Sequence, residues 1–350
     1  MQKIKLKYKI DLVMKDAKRD IVERSPNRAT NVSSRISAGK QKNVFSTLHN
    51  YFIILIIIPL LFSCKDELVA YQDNDCKAQA PFIKKLGYNP ARSAFSTSEK
   101  IIKGLVLLQI NENGDTSGGG RKLYQHPSWA SAGWLGPMQI APNGHVFLAP
   151  VPVINLIDNP PSKQNIIYKV DATSGIMSAF VNLPITADST VANPYGLLGF
   201  AYLCESNTLY ASTVQGSTRQ QELGILYAID ASSGKILDKV KNIDVLGMGI
   251  SYTTGQRKLY FGSARNSSVY EITLKENGTF ATAPSVAFNI ENLGPRGDDK
   301  VRRIKFNKAT GQMNVYGLEF NFNLTAPTEK QENMYVYNYD EELKKWVVAY

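Results

Sequence analysis

The chain has 350 residues and a formal net charge of +10, and its 43% hydrophobic and 20% charged content excludes wholesale disorder. The surplus charge is local: residues 1–63 carry eight Lys and four Arg against three Asp and one Glu, leaving 28 basic and 26 acidic groups from Cys64 onward. A nearly neutral body lacks the clustered basic surface that phosphate-backbone binding needs, so no nucleic-acid partner is expected.

Residues 1–63 read as a leader and signal peptide. Within them, residues 51–63 (YFIILIIIPLLFS) are uncharged, preceded by Lys40 and Lys42 and followed by Cys64-Lys65-Asp66-Glu67. A membrane-crossing helix needs about 20 apolar residues, so this run is short for an anchor and has the length of a secretory h-region. Leu61-Phe62-Ser63-Cys64 resembles the lipobox of bacterial lipoproteins, with Phe62 bulkier than the usual residue. That resemblance implies lipid attachment at Cys64 and a membrane partner through the N-terminal lipid. Lys65-Asp66-Glu67 resembles the charged signal that sends some Gram-negative lipoproteins to the cell surface, which implies an outer-membrane protein, surface-exposed or periplasmic. The same triplet also reads as the start of a solvated tether. The preceding stretch RSPNRATNVSSRISAGKQK has no apolar periodicity; it reads as a disordered leader or, if translation starts further on, as residues that are not made. The expected organisation is therefore 1–63 leader and signal peptide, 64–81 flexible tether, and 82–350 folded domain.

Beyond Cys64 the chain has only Cys76 and Cys204. An exported protein can pair them, but Cys204 in the apolar stretch Gly199-Phe200-Ala201-Tyr202-Leu203-Cys204 reads rather as a small buried hydrophobe. Both readings stay open.

From Ile101 onward, short runs of β-branched and aromatic residues alternate with turn clusters, and none has long apolar helical spacing, so an all-β domain is expected. One hairpin pattern recurs: an apolar strand with a Tyr, an Asp or Asn, small polar residues, a Gly, then a second strand. It reads IIYKVDATSGIMSAFVNL from Ile166, ILYAIDASSGKILDKVKNI from Ile225 and SVYEITLKENGTFATAPSVAF from Ser268, with looser copies at Gly104 and Asn333. Asp or Asn bonds the backbone two residues on, and Gly supplies the positive φ of the turn. A second hairpin type starts at Gly136, Gly199, Gly249 and Arg302, at spacings of 63, 50 and 53 residues. Two hairpins per unit at that period predict a β-propeller of four-stranded antiparallel blades. Five blades is the simplest closure, six if residues 81–100 supply further strands.

Asn193-Pro194-Tyr195-Gly196, with the following strand and Leu209-Tyr210-Ala211, resembles the repeat of NHL and gluconolactonase-like propellers. Leu226-Tyr227-Ala228-Ile229-Asp230 with Ser233-Gly234-Lys235 is similar to the quinoprotein-type repeat, although Leu237 and Asp238 stand where a Trp usually follows the glycine turn. These motifs speak to fold and not to activity. The gluconolactonase-like resemblance implies a divalent cation, Ca²⁺ or a similar hard ion, held by a Glu, Asn and Asp set. By loop position Asn193, Asp244 and Asp298 are the metal candidates, with no Glu in a matching first-blade position.

Loops joining second to third strands, and each blade to the next, open on one face of a propeller, where sites usually lie. Trp129 and Trp134 are candidates for a stacking platform there, with Asn193, Tyr195 and Arg265 supplying directional hydrogen bonds; aromatic packing between blades is the alternative for the Trp pair. Asp298-Asp299 beside Arg296 and Lys300 is a candidate cation or basic-ligand site, or a solvated turn. His145, in Pro142-Asn143-Gly144-His145, reads as solvated. HExxH, GxSxG and GxxxxGK[ST] are all missing, so no catalytic residues are assigned. The expectation is a non-catalytic binding or interaction protein with a glycan, peptide or protein ligand on its loop face. The alternative is a metal-dependent lactonase-like hydrolase.

Overall fold

The computed structural model describes residues 76–99, 101–111, 121–151, 157–184, 193–307, 309–322 and 332–349. The leader, the apolar run and Cys64 lie outside the described residues. Among the described residues no helix is long and apolar enough to cross a membrane.

The expected all-β propeller architecture is observed, as a succession of antiparallel sheets in which every strand pairs with its neighbour in sequence. Sheet I has three strands, β1 (Ser93–Ser96), β2 (Val106–Gln109) and β3 (Lys122–Tyr124). Sheet II comprises β4 (Leu135–Ile140), β5 (Val146–Pro150), β6 (Ile166–Val170) and β7 (Met177–Asn182). Sheet III comprises β8 (Leu197–Leu203), β9 (Thr208–Thr213), β10 (Ile225–Asp230) and β11 (Ile236–Lys241). Sheet IV comprises β12 (Val245–Ser251), β13 (Lys258–Ser263), β14 (Ser268–Thr273) and β15 (Ser285–Asn289). Sheet V comprises β16 (Lys300–Phe306), β17 (Met313–Leu318), β18 (Asn333–Asp340) and β19 (Lys345–Val348). Among the described residues of 81–99, β1 is the one strand.

The first strand of each four-stranded sheet is its inner strand: β8 packs on β4 and β12, and β12 on β16. Apolar side chains fill the spaces between successive sheets. Phe147, Ile167, Phe200 and Tyr227 pack between II and III, Tyr210, Leu226, Leu259 and Phe261 between III and IV, and Tyr260, Val301, Val315 and Trp346 between IV and V. The central strand β9 is buried throughout, whereas the outer strand β11 alternates half-buried with exposed residues. A lone sheet would leave one such apolar face wet, which is why the repeats must stack. The inner strands approach so closely that a Cβ on Gly199 would lie 2.0 Å from the Leu246 carbonyl oxygen.

The hairpin repeat has the turn chemistry its residues imply. Asp171 Oδ1 accepts from the Thr173 and Ser174 N–H groups, and Asp230 Oδ1 from those of Ser232 and Ser233. Gly175 and Gly234 follow at φ 72° and 77°. The backbone N–H of Ser174 and of Ser233 is the main influence holding these carboxyls below the usual aspartate range.

Two sequence readings are corrected on the hairpin-turn face. Residues 76–81, assigned to a flexible tether, are docked there. Cys76 forms a disulfide with Cys204 in the β8–β9 turn, with Cα atoms 6.1 Å apart. The Ala78 N–H donates to the Ala141 carbonyl, Ala80 is buried, and a one-turn helix, Pro81–Lys85, buries Phe82 and Ile83. His145 is not simply solvated: its Nδ1 accepts from the Ala172 N–H at 2.9 Å, joining the β4–β5 turn to the β6–β7 turn.

Candidate functional site

The opposite face is that of the connections between second and third strands and between successive sheets, described at residues 157–165, 193–196, 214–224, 242–244, 264–267, 290–299 and 319–322. Hydrogen bonds centred on Ser217 and Asp244 tie Asn193, the 214–224 loop, the 242–244 connection and Arg265 together.

Asn193 is buried, and its Nδ2 donates to the carbonyls of Val214 and Ser217, both at 2.8 Å. Its Oδ1 accepts from the Tyr195 N–H. The Ser217 hydroxyl donates to Asp244 Oδ1, which also accepts the Gly224 N–H at 3.0 Å. Asp244 Oδ2 lies 2.9 Å from Arg265 Nη1. The same guanidinium donates to the Thr218 and Arg219 carbonyls and lies over the Phe322 ring at 5.7 Å. Glu222 Oε1 accepts the Asp244 N–H at 2.7 Å. The network thus links the turns of sheets III and IV around one wholly buried carboxylate.

Burial pushes the Asp244 carboxyl up, against the pull of Ser217 and Arg265; burial also raises Glu222, against the pull of the Asp244 N–H. Asp299 behaves oppositely. Burial favours its neutral form, but Arg296 Nε at 2.5 Å, the Tyr335 hydroxyl and Asn333 Nδ2, both at 2.7 Å, outweigh it and lower its pKa. Burial and the Asp299 carboxylate push the Tyr335 hydroxyl up to about 12.

Nearer the centre of the face, residues of three sheets meet in an apolar group: Tyr195, Leu198, Leu246, Phe320 and Phe322. The rings of Tyr195 and Phe320 are 5.5 Å apart, and those of Phe320 and Phe322 5.4 Å.

The candidate residues therefore divide. Asn193, Tyr195, Asp244 and Arg265 are brought together. Trp129 is not a ligand platform: its side chain has no exposed surface, packs edge-on to Phe82, Phe95 and Tyr124, and donates from Nε1 to the Gly175 carbonyl at 2.8 Å. It belongs to the core between sheets I and II. Trp134 is half-buried, with its N–H and carbonyl both bonded by the side chain of buried Asn159. Asp298 is exposed, and its carbonyl accepts from Lys300 Nζ. Of the Asp298-Asp299 pair, Asp299 is turned into the fold on Arg296, Asn333 and Tyr335, whereas Asp298 faces solvent.

These residues do not fit a hard divalent cation, which takes six to eight oxygens in the case of Ca²⁺. Both Asp244 oxygens are engaged, and Arg265 already supplies the positive charge beside them. Asn193 turns its amide nitrogen towards Ser217. Among the described residues no three His, Cys, Asp or Glu side chains form a group suited to a metal. Ser217 and Glu222, which complete the network, were not singled out by the sequence: their loop was flagged, but nothing local distinguishes a hydroxyl or carboxylate that turns inward.

No family model matches the chain, and no curated protein is similar to it in sequence. Solved structures are similar in fold. A calcium-binding protein, regucalcin, from Agrobacterium tumefaciens is 12% identical with a TM-score of 0.41, over 67% of this chain and 72% of that one. A putative 6-phosphogluconolactonase from Bacteroides uniformis is 11% identical with a TM-score of 0.45, over 73% and 66%. A gluconolactonase from Xanthomonas campestris is 13% identical with a TM-score of 0.36, over 61% and 65%. Identities this low transfer no activity, and the propeller assignment rests on the sheets themselves.

Proposed function

We propose that the chain is an exported, lipid-anchored β-propeller that acts as a non-catalytic binding module, offering its loop face to a glycan, peptide or protein. The observation that carries this reading is the pairing of Asp244, a wholly buried carboxylate of the loop face, with Arg265. A carboxylate that serves as general base or metal ligand keeps an oxygen open to the reacting group. Asp244 instead spends both oxygens on holding loops, which favours a rigid recognition surface.

Export is supported by the Cys76–Cys204 disulfide, since such bonds persist in oxidising compartments. The short apolar run ending at Cys64 supports the lipid anchor and the outer-membrane location.

Metal analysis of the purified full chain, with lactone hydrolysis measured in parallel, tests the reading. We expect no stoichiometric divalent ion and no hydrolysis. Hydrolysis that disappears with a stoichiometric ion, or in Asp244→Asn, would defeat it in favour of a metal-dependent lactonase. Loss of radiolabelled palmitate incorporation in Cys64→Ala is expected for the anchor; unchanged membrane retention without that label would instead indicate an uncleaved segment.

A further inference from the structure

Beside the Arg265 network lies a cleft of about 310 Å³ between the sheets, bounded by β11 and its following turn on one side and by β13, β14 and Pro284 on the other. Its volume is at the lower end of the range for small-molecule sites, enough for one or two sugar rings. Phe261 and Tyr270 stack in its wall with ring centroids 5.7 Å apart and planes 8° from parallel; Phe261 is wholly buried and Tyr270 half-buried.

The polar lining has a particular incompleteness. Arg265 uses Nη1 and Nη2 on Asp244 and the carbonyls of the loop, but its Nε–H makes no hydrogen bond among the described residues. Glu222 spends Oε1 on the Asp244 N–H, while its Oε2 stands 4.0 Å from Arg265 Nε, too far for a direct hydrogen bond. A fixed donor and a fixed acceptor at that separation suit a group that accepts from one and donates to the other, which is what a hydroxyl does. Formal charge in the lining is balanced. The lining carries Arg265, Lys241 and Glu222, and buried Asp244 behind it pairs with Arg265, so counted together the two cations and two carboxylates cancel and the cleft favours neither a strong anion nor a strong cation.

We propose that this cleft binds a neutral saccharide, with one hydroxyl bridging Arg265 Nε and Glu222 Oε2, Asn242 at the rim, and the sugar ring against Tyr270. An aromatic wall with amide, carboxylate and cationic groups around it provides both the apolar sugar face and the hydroxyl edge with partners. The proposal rests on the binding-module reading and names its ligand class.

Calorimetric titration of the full chain with cellobiose, maltose, lactose and xylobiose tests it, with glucuronate and glucosamine as charged comparators. At least one neutral disaccharide is expected to bind saturably below about 10 mM. Glu222→Gln should weaken that binding by about tenfold, the loss expected for one charge-assisted hydrogen bond. Asn242 has φ 58°, a conformation glycine adopts freely, so Asn242→Gly removes the rim amide without straining the fold and should weaken binding several-fold. No saturable disaccharide binding, equal binding by Glu222→Gln and Asn242→Gly, or tighter binding of either charged sugar would overturn the proposal. Failure here with no metal and no hydrolysis leaves the module reading standing, whereas metal-linked hydrolysis removes that reading whatever the cleft binds.

Discussion

Arg265 Nη1 and Asp244 Oδ2 are 2.9 Å apart, with the carboxylate wholly buried and the guanidinium about one-fifth exposed. The pair joins the loop after β13 to the connection between sheets III and IV, and the same cation holds the carbonyls of the 214–224 loop. It is the principal brace of the loop face.

Arg265→Met should therefore destabilise the protein by about 3–5 kcal/mol, because it strands a buried carboxylate. The double variant Arg265→Met, Asp244→Leu should recover part of that loss by removing the unpaired charge. Urea unfolding of wild type, Arg265→Met, Asp244→Leu and the double variant measures both, and additive effects would show that the two groups do not act as a pair.

The two buried aspartates give opposite pH dependence. Asp299 has a lowered pKa, so its contribution is complete above the unfolded aspartate value of about 3.9 and is lost as pH falls through its lower folded value. Asp244 has a raised pKa, so its contribution is present at low pH and is lost as pH rises through its folded value. Denaturant unfolding across a pH series should show Asp299→Asn flattening the rise of stability with pH and Asp244→Asn steepening it.

Trp129→Phe should cost about 1–3 kcal/mol, since it leaves the Gly175 carbonyl without its indole donor. Calorimetric titration of the same variant should show unchanged saccharide affinity, because the ring lies in the core between sheets I and II and away from the loop face.

Gly199→Ala should destabilise by about 1–3 kcal/mol or prevent folding, since its methyl would meet the Leu246 carbonyl across the inner strands. Gly255 has φ 69° with nothing within 4 Å of an added Cβ, so Gly255→Ala carries only the local backbone penalty of about 1–2 kcal/mol. Thermal unfolding of the two variants separates packing from conformation.

The fold was legible because its information is local. Asp171 and Asp230 bond backbone groups two and three residues on, so the Asp-Ala-(Ser/Thr)-Ser-Gly turn marks these two hairpins in the sequence itself. The site was less legible because its contacts are not local. Asp244 meets Ser217 and Arg265, which lie 27 and 21 residues away in sequence, and only the packing of sheets III and IV brings them together. Trp129 misled for a related reason: it follows a loop-like His-Pro-Ser, yet those residues open a single helical turn, Pro127–Ala130, that tucks the indole beneath Phe82 and Phe95. The docking of residues 76–81 was hidden because two cysteines 128 residues apart carry no sign of their pairing.

The Cys76–Cys204 bond also determines how the domain would bear a load. It enters the β8–β9 turn, on the face opposite the loops, so tension along the chain from its N-terminal side passes covalently into sheet III before it reaches the hydrogen bonds of sheets I and II.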